Sequence, residues 1–153
     1  MHSRIFQVST EKEFERASEV DYYENFVGSI ADCVNDVDDK EAICDIMWLE
    51  KYLKGAVKFS DDYSTMTIVN KRLYFEPLYK EFKAALDKLC SKVSEDEFCD
   101  GKIGMEMWSL NNAYNDKFGF YISKEYPITL TEFMTEVKDG DTFYMGTVTD
   151  YHC

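Results

Sequence analysis

Ala31 to Asp45 reads ADCVNDVDDKEAICD and holds six carboxylates and two cysteines against Lys40 alone. Carboxylates at that density are the raw material of a divalent-cation loop, because calcium takes six to eight hard oxygen ligands. An EF-hand loop opening at Asp36 needs an oxygen ligand at its fifth position, glycine at its sixth and glutamate at its twelfth. This chain has Lys40, Glu41 and Met47 there, so the calcium motif fails. Zinc is served no better. The two histidines, His2 and His152, stand at opposite ends, and no C-x-x-C pair joins any of the five cysteines. The same two histidines are the only imidazole bases available to a Cys or Ser nucleophile, and chain ends are commonly mobile. Paired carboxylates for acid–base chemistry are unspecific among thirty acids. Phosphate-cradling glycine loops are absent. No cofactor and no metal is expected.

Charge is the remaining signal. The net charge is −13, and it is distributed unevenly. Residues 19–50 hold ten acids against one base for −9, residues 51–93 hold nine bases against five acids for +4, and residues 94–153 return to −8. Such a field disfavours direct contact with nucleic acid or an anionic membrane, which needs clustered Lys and Arg. A basic protein surface is the natural partner. Carboxylates four apart on a helix stand about 6 Å apart, against one charge per about 1.7 Å of axis in duplex DNA. Two acidic helices with their junction narrow that gap, and spacings within a Debye length of about 8 Å let the fields add.

The elements that must position these acids follow from hydrophobic period. RIFQVS reads as a short strand. From Asp21 to Val37 the apolar residues Tyr23, Phe26, Val27, Ile30, Cys33, Val34 and Val37 recur at helical steps. A second helix over 40–54 turns Ile43, Ile46, Met47, Leu49 and Leu53 inward, with Gly55 as its stop. The pair forms an acidic αα-hairpin with Asp36 to Glu41 as its exposed elbow. AVKFS and TMTIVN make a β-hairpin. Leu78 to Val93 is a long amphipathic helix with Pro77 in its first turn. SEDEFCDGK is a loop or short helical turn. IGMEMWSL and KFGFYIS alternate with period two and read as a long hairpin around NNAYND. Thr129 to Glu132 has capping-box spacing for a short helix, KDGDT is a turn, and FYMGTVTDY is the last strand.

These elements do not alternate as β-α-β-α. The expected fold is therefore α+β, a single domain over 1–153, with a mainly antiparallel sheet of about five or six strands covered by three or four helices. Cys33 and Cys90 fall in apolar stripes and are expected to pack as small buried hydrophobes. Most of the large aromatics, among them Trp48, Tyr52, Tyr63, Tyr74, Trp108, Tyr114 and Tyr126, are assigned to packing. No apolar run reaches the length of a membrane helix, the N-terminus lacks a signal-peptide core, and scattered thiols suit a reducing compartment, so the expected location is cytoplasmic.

SRIFQVS, followed by GSIADCV and a second acidic helix, resembles small uncharacterised proteins of bacterial mobile elements across the first third of the chain. The resemblance implies a host-interaction or counter-defence role and carries over no functional residue. The expected function is a non-enzymatic acidic protein-binding module, an inhibitor that occupies the groove of a nucleic-acid-handling protein in the manner of a DNA mimic. Asp32, Asp36, Asp38, Asp39, Glu41 and Asp45 supply the charge, with Trp48 as aromatic anchor. The alternative is a carboxylate-based enzyme or small-molecule binder with a site assembled from distant residues. A structural or oligomeric subunit, the third class, would show a large apolar patch.

Overall fold

The computed structural model describes residues 2–28, 31–114, 121–123 and 127–152. The elements run β1 (His2–Ser9), α1 (Glu19–Phe26), β2 (Cys33–Asp36), α2 (Asp39–Leu53), β3 (Val57–Phe59), β4 (Thr65–Ile68), α3 (Arg72–Lys92), α4 (Glu95–Cys99), α5 (Gly104–Tyr114), β5 (Tyr121–Ser123), β6 (Pro127–Thr129), α6 (Leu130–Glu136) and β7 (Thr142–His152). The fold is α+β, as expected, and its strands form one sheet in the order β3-β4-β7-β1-β5-β6, with β2 also on β7. Pairing is antiparallel apart from β1 with β5.

β7 organises the sheet. One edge is paired with β1 from Tyr144 to His152, while the other is shared by β4 at Thr142–Tyr144 and by β2 at Thr149–His152. Side chains alternate across a strand, so each register pair selects a face. Phe6 opposite Val148 points to the main core, where it meets Ile46, Leu49 and Leu53 of α2, Tyr74 of α3 and Leu130, Phe133 and Met134 of α6. Ile5, Val34 and Tyr151 point the other way, into a smaller core closed by Tyr22 of α1 and Ala31.

A bulge interrupts the β1–β7 register, where Gly146 and Thr147 together oppose Gln7. The buried Gln7 uses that space. Its amide oxygen accepts from the Ala17 and Thr147 backbone N–H groups, at 3.0 and 3.2 Å, and its amide nitrogen donates to the Glu15 carbonyl at 2.9 Å. It thereby fastens the segment before α1 onto the sheet. A Cβ at position 146 would lie 2.8 Å from Gln7 Cδ and 2.9 Å from Phe14 Cε2, so only glycine fits.

Local signals set the element ends, Gly55 and Thr129 as the sequence suggests and Asp38 and Ser94 in addition. Asp38 caps α2 by accepting from the Lys40 and Glu41 N–H groups, both at 2.9 Å. Gly55, at φ 84°, follows Lys54 in the left-handed region and stops that helix. Ser94 and Thr129 open α4 and α6 with capping boxes. Val57 pairs with Ile68 and Phe59 with Met66, all four turned into the core.

Other expectations are overturned. The helix over Asp21–Val37 is only α1, ending before Gly28 at φ 87°, and residues 33–36 are strand β2. There is no αα-hairpin at this point. Helical spacing was met there by chance; pairing with the open end of β7 satisfies backbone groups that a longer helix would leave exposed along that edge. The alternation of β2 buries Val34 and exposes Cys33. Cys90 is exposed as well. α3 starts at Arg72, placing Pro77 inside the helix rather than in its first turn. IGMEMWSL is no hairpin arm: Gly104–Tyr114 is helix α5, rich in the strong helix formers Met, Leu, Glu and Ala, and it packs on α3. The residues KFGF of the expected second arm, and Tyr126, lie outside the described residues. His152 is not frayed, since β7 runs through it between His2 and Cys33.

Two outcomes follow from this framework. Gly146→Ala should lower the unfolding free energy by about 1–3 kcal/mol through overpacking against Gln7 and Phe14, measured by urea denaturation. In the β3–β4 turn, hydrogen bonds from the Ser60 and Ser64 hydroxyls and the Ser64 N–H lower the Asp62 pKa from 3.8 to about 2. Because the folded value is the lower one, the turn's contribution is complete above about pH 4 and disappears as pH falls toward 2. Carboxyl-carbon NMR should therefore give Asp62 a midpoint near 2.

Candidate functional site

Most of the acidic residues proposed from sequence surround the start of α2. Arg4, on β1, reaches across the main-core face of the sheet into this group. Its Nε donates to Asp45 Oδ2 at 2.5 Å, its Nη2 to Glu41 Oε1 at 2.9 Å, and its Nη1 to Asp150 Oδ1 on β7. The side chains of Arg4, Asp45 and Asp150 are only 20, 21 and 17% exposed. Burial by itself lowers the Arg4 pKa, but the hydrogen bond and charge of Asp45, with the charges of Asp150 and Glu41, raise it overall. One guanidinium thus ties β1, β7 and α2 together, and three carboxylates around it leave the cluster with two negative charges.

The seven predicted residues therefore divide by task. Glu41 and Asp45 are held by Arg4. Asp38 is spent in part on the α2 cap. Asp32 is exposed, with Oδ2 3.8 Å from His152 Nδ1. Asp39 is exposed in the first turn of α2, where the helix dipole favours an acid. Asp36 is exposed too, but it pairs with Thr149 on β7 and so points to the opposite face of the sheet from Arg4 and Asp150. The acids do not converge into one ridge.

Trp48 lies on the same side of α2 as Glu41 and Asp45, three residues beyond the latter. It is 47% exposed, and its ring stacks on Tyr52 with centroids 5.9 Å apart. Ile43 and Met47, placed inward by the sequence reading, are instead 43 and 38% exposed. The core takes only Ile46, Leu49 and Leu53 from this helix, because a sheet contacts a narrow stripe of α2 and its flanks stay open. Tyr52 also borders a cavity of about 390 Å³ with Leu53, Lys54, Leu73, Tyr74, Pro77, Leu78 and Glu81. Glu81 is the one carboxylate among the described residues of that lining. Among the described residues, no three His, Cys, Asp or Glu side chains are grouped to hold a metal ion, and no helix is long and apolar enough to cross a membrane.

No protein-family model, curated protein or solved structure matches this chain. The arrangement of its own residues is what carries a functional reading.

Sequence reasoning missed Arg4 and Asp150, whose ion pair belongs to the cluster that engages Glu41 and Asp45. Arg4 and Asp150 are 146 positions apart, and no local pattern links them. Arg4→Met should destabilise the fold by about 2–3 kcal/mol, below the usual 3–5 kcal/mol for a broken buried pair because the cluster is partly solvated. Urea denaturation of the variant beside the wild type would measure the deficit.

Proposed function

We propose that this chain is an acidic, non-enzymatic protein-binding module that docks a basic protein surface on the open side of α2. The observation that carries this reading is the exposure of Ile43, Met47 and Trp48 together on one helix that begins with Asp39 and Glu41. Apolar anchors bordered by charge are the anatomy of a protein interface, and tryptophan is enriched among residues that dominate binding energy. The charge of −13 adds long-range attraction for a cationic partner and accelerates encounter.

The narrower form of the proposal is inhibition of a nucleic-acid-handling protein by occupation of its groove. Asp38 and Asp39 at the start of α2 carry it together with Asp32, since Glu41 and Asp45 already answer to Arg4 and Asp36 stands on the other face of the sheet, where it adds only to the long-range field. A host-interaction or counter-defence setting, implied by the N-terminal resemblance, agrees with such a target.

The test is capture of basic proteins from host lysate at low salt, identified by mass spectrometry, followed by competition of each against duplex DNA. Asp36→Asn, Asp38→Asn and Asp39→Asn combined should weaken capture and flatten its salt dependence. Asn at position 38 preserves the helix cap, so lost binding would report charge rather than unfolding. Trp48→Ala should cost about 2 kcal/mol or more of binding energy. Capture indifferent to salt and to both variants would remove this reading, and a captured protein that keeps its DNA would remove the inhibitory form alone.

A further inference from the structure

We infer that the arm built from α3, α4 and α5 is a self-association surface, on which a second copy of this chain packs across a two-fold axis. It is separate from the α2 surface and goes beyond the proposed function.

The arm cannot satisfy its own apolar residues. At 1.5 Å per residue α3 is about 31 Å long, yet of its 21 residues only Tyr74 is buried. Its remaining apolar stripe is half-covered by α5. α5 carries Met105, Met107, Trp108, Leu110 and Ala113 around its circumference, interspersed with Glu106, Ser109, Asn111 and Asn112, rather than along one stripe, so packing on α3 alone leaves several of them open. Of these five only Ala113 is buried, while Met105, Met107 and Trp108 are 69, 49 and 61% exposed. Phe98 on α4 and Tyr79 on α3 add 64 and 65%.

The area argues for a whole protein surface as the occupant. An aromatic side chain presents about 150–250 Å², so Phe98 and Trp108 at these exposures offer roughly 100–150 Å² each. With the two methionines of α5 the arm supplies about half of the ~800 Å² that each partner contributes to a standard interface.

The charges point to a second copy. A two-fold contact joins a patch to itself, so the patch must contain both signs. Here the basic end of α3, with Lys88 and Lys92, runs directly into the acidic start of α4, with Glu95 and Asp96. Their neighbours are already engaged: Lys83 with Asp87 at 2.9 Å, Lys102 with Asp100 at 2.6 Å, and Glu97 in the Ser94 capping box. Antiparallel packing of two arms sets Lys88 and Lys92 of each copy against Glu95 and Asp96 of the other. An anionic bilayer fits worse, because the acids of α4 crowd the same end.

Salt separates this contact from docking on α2. Two molecules at −13 repel, and salt screens that repulsion without weakening apolar burial. Salt screens the exposed cross-copy pairs as well, so the dimer, held by apolar burial, should persist as salt rises, whereas capture of a basic partner should weaken.

Sedimentation equilibrium over a range of protein concentration gives the readout, with Trp108 emission in a Trp48→Phe background shifting to the blue on association. Wild type should dimerise, and Trp108→Glu or Met105→Glu should be monomeric with an unchanged circular dichroism spectrum. Lys88→Glu/Lys92→Glu and Glu95→Lys/Asp96→Lys should each weaken the dimer several-fold, and an equimolar mixture of the two should restore association. A wild type that stays monomeric to its solubility limit, folded Trp108→Glu that still dimerises, or charge variants that show no loss or no recovery on mixing would overturn the inference.

Discussion

Every backbone N–H and C=O along β7 must find a partner once the strand is buried, and that requirement arranges the rest of the fold. β1 pairs along one edge of β7 from Tyr144 to His152. The other edge is longer than β4 can cover, so residues 33–36 leave their helical pattern and fill its far end. That exchange turns Val34 inward, closes the second core over Ile5 and Tyr151, and brings the chain to Asp38, where α2 begins. The one extra residue that β7 carries opposite Gln7 gives that side chain room to hold the segment preceding α1. A long central strand, its bulge and its two-part edge are thus one connected constraint.

Charge in this protein is not a uniform coat. Arg4 converts three of the carboxylates most central to the acidic stretch and its surroundings into ties between β1, β7 and α2. Such a cluster trades the desolvation of partly buried charge against Coulomb attraction and hydrogen bonds, and its main product is a fixed position for α2. The acids left to solvent, Asp32, Asp36 and Asp39, then point in more than one direction. They form no continuous row of charge, and the exposed apolar side chains of α2, Ile43 and Met47 on one flank and Trp48 on the other, stand beside them.

The molecule therefore presents two open surfaces of different character. On α2, Ile43, Met47 and Trp48 stay exposed because the sheet needs only one stripe of that helix. On the arm, α3 and α5 cover each other in part and leave their outer sides unpaired with the core. Lysines run into acids where α3 meets α4, whereas α2 has Asp38, Asp39 and Glu41 around Lys40 at its start and Lys51 and Lys54 at its end.

The sequence by itself determined the features that act locally. The capping box at Thr129, the Gly55 stop, the β3–β4 hairpin with its inward pairs, and the α+β class were all readable because a turn, a cap or a short period depends on residues a few positions apart. So was the failure of the calcium motif, which is a matter of ligand spacing alone. Only the tertiary structure decided that 33–36 is strand, that 104–114 is helix, that Ile43, Met47, Cys33 and Cys90 face solvent, and that Arg4 claims Glu41 and Asp45. In each case the deciding partner is distant along the chain: β7 for β2, α3 for α5, the sheet for α2, and Asp150 for Arg4. Hydrophobic period says that a residue prefers an apolar neighbour. Which neighbour arrives, and which carboxylate is left facing water, depends on how strands distant in sequence satisfy their hydrogen bonds.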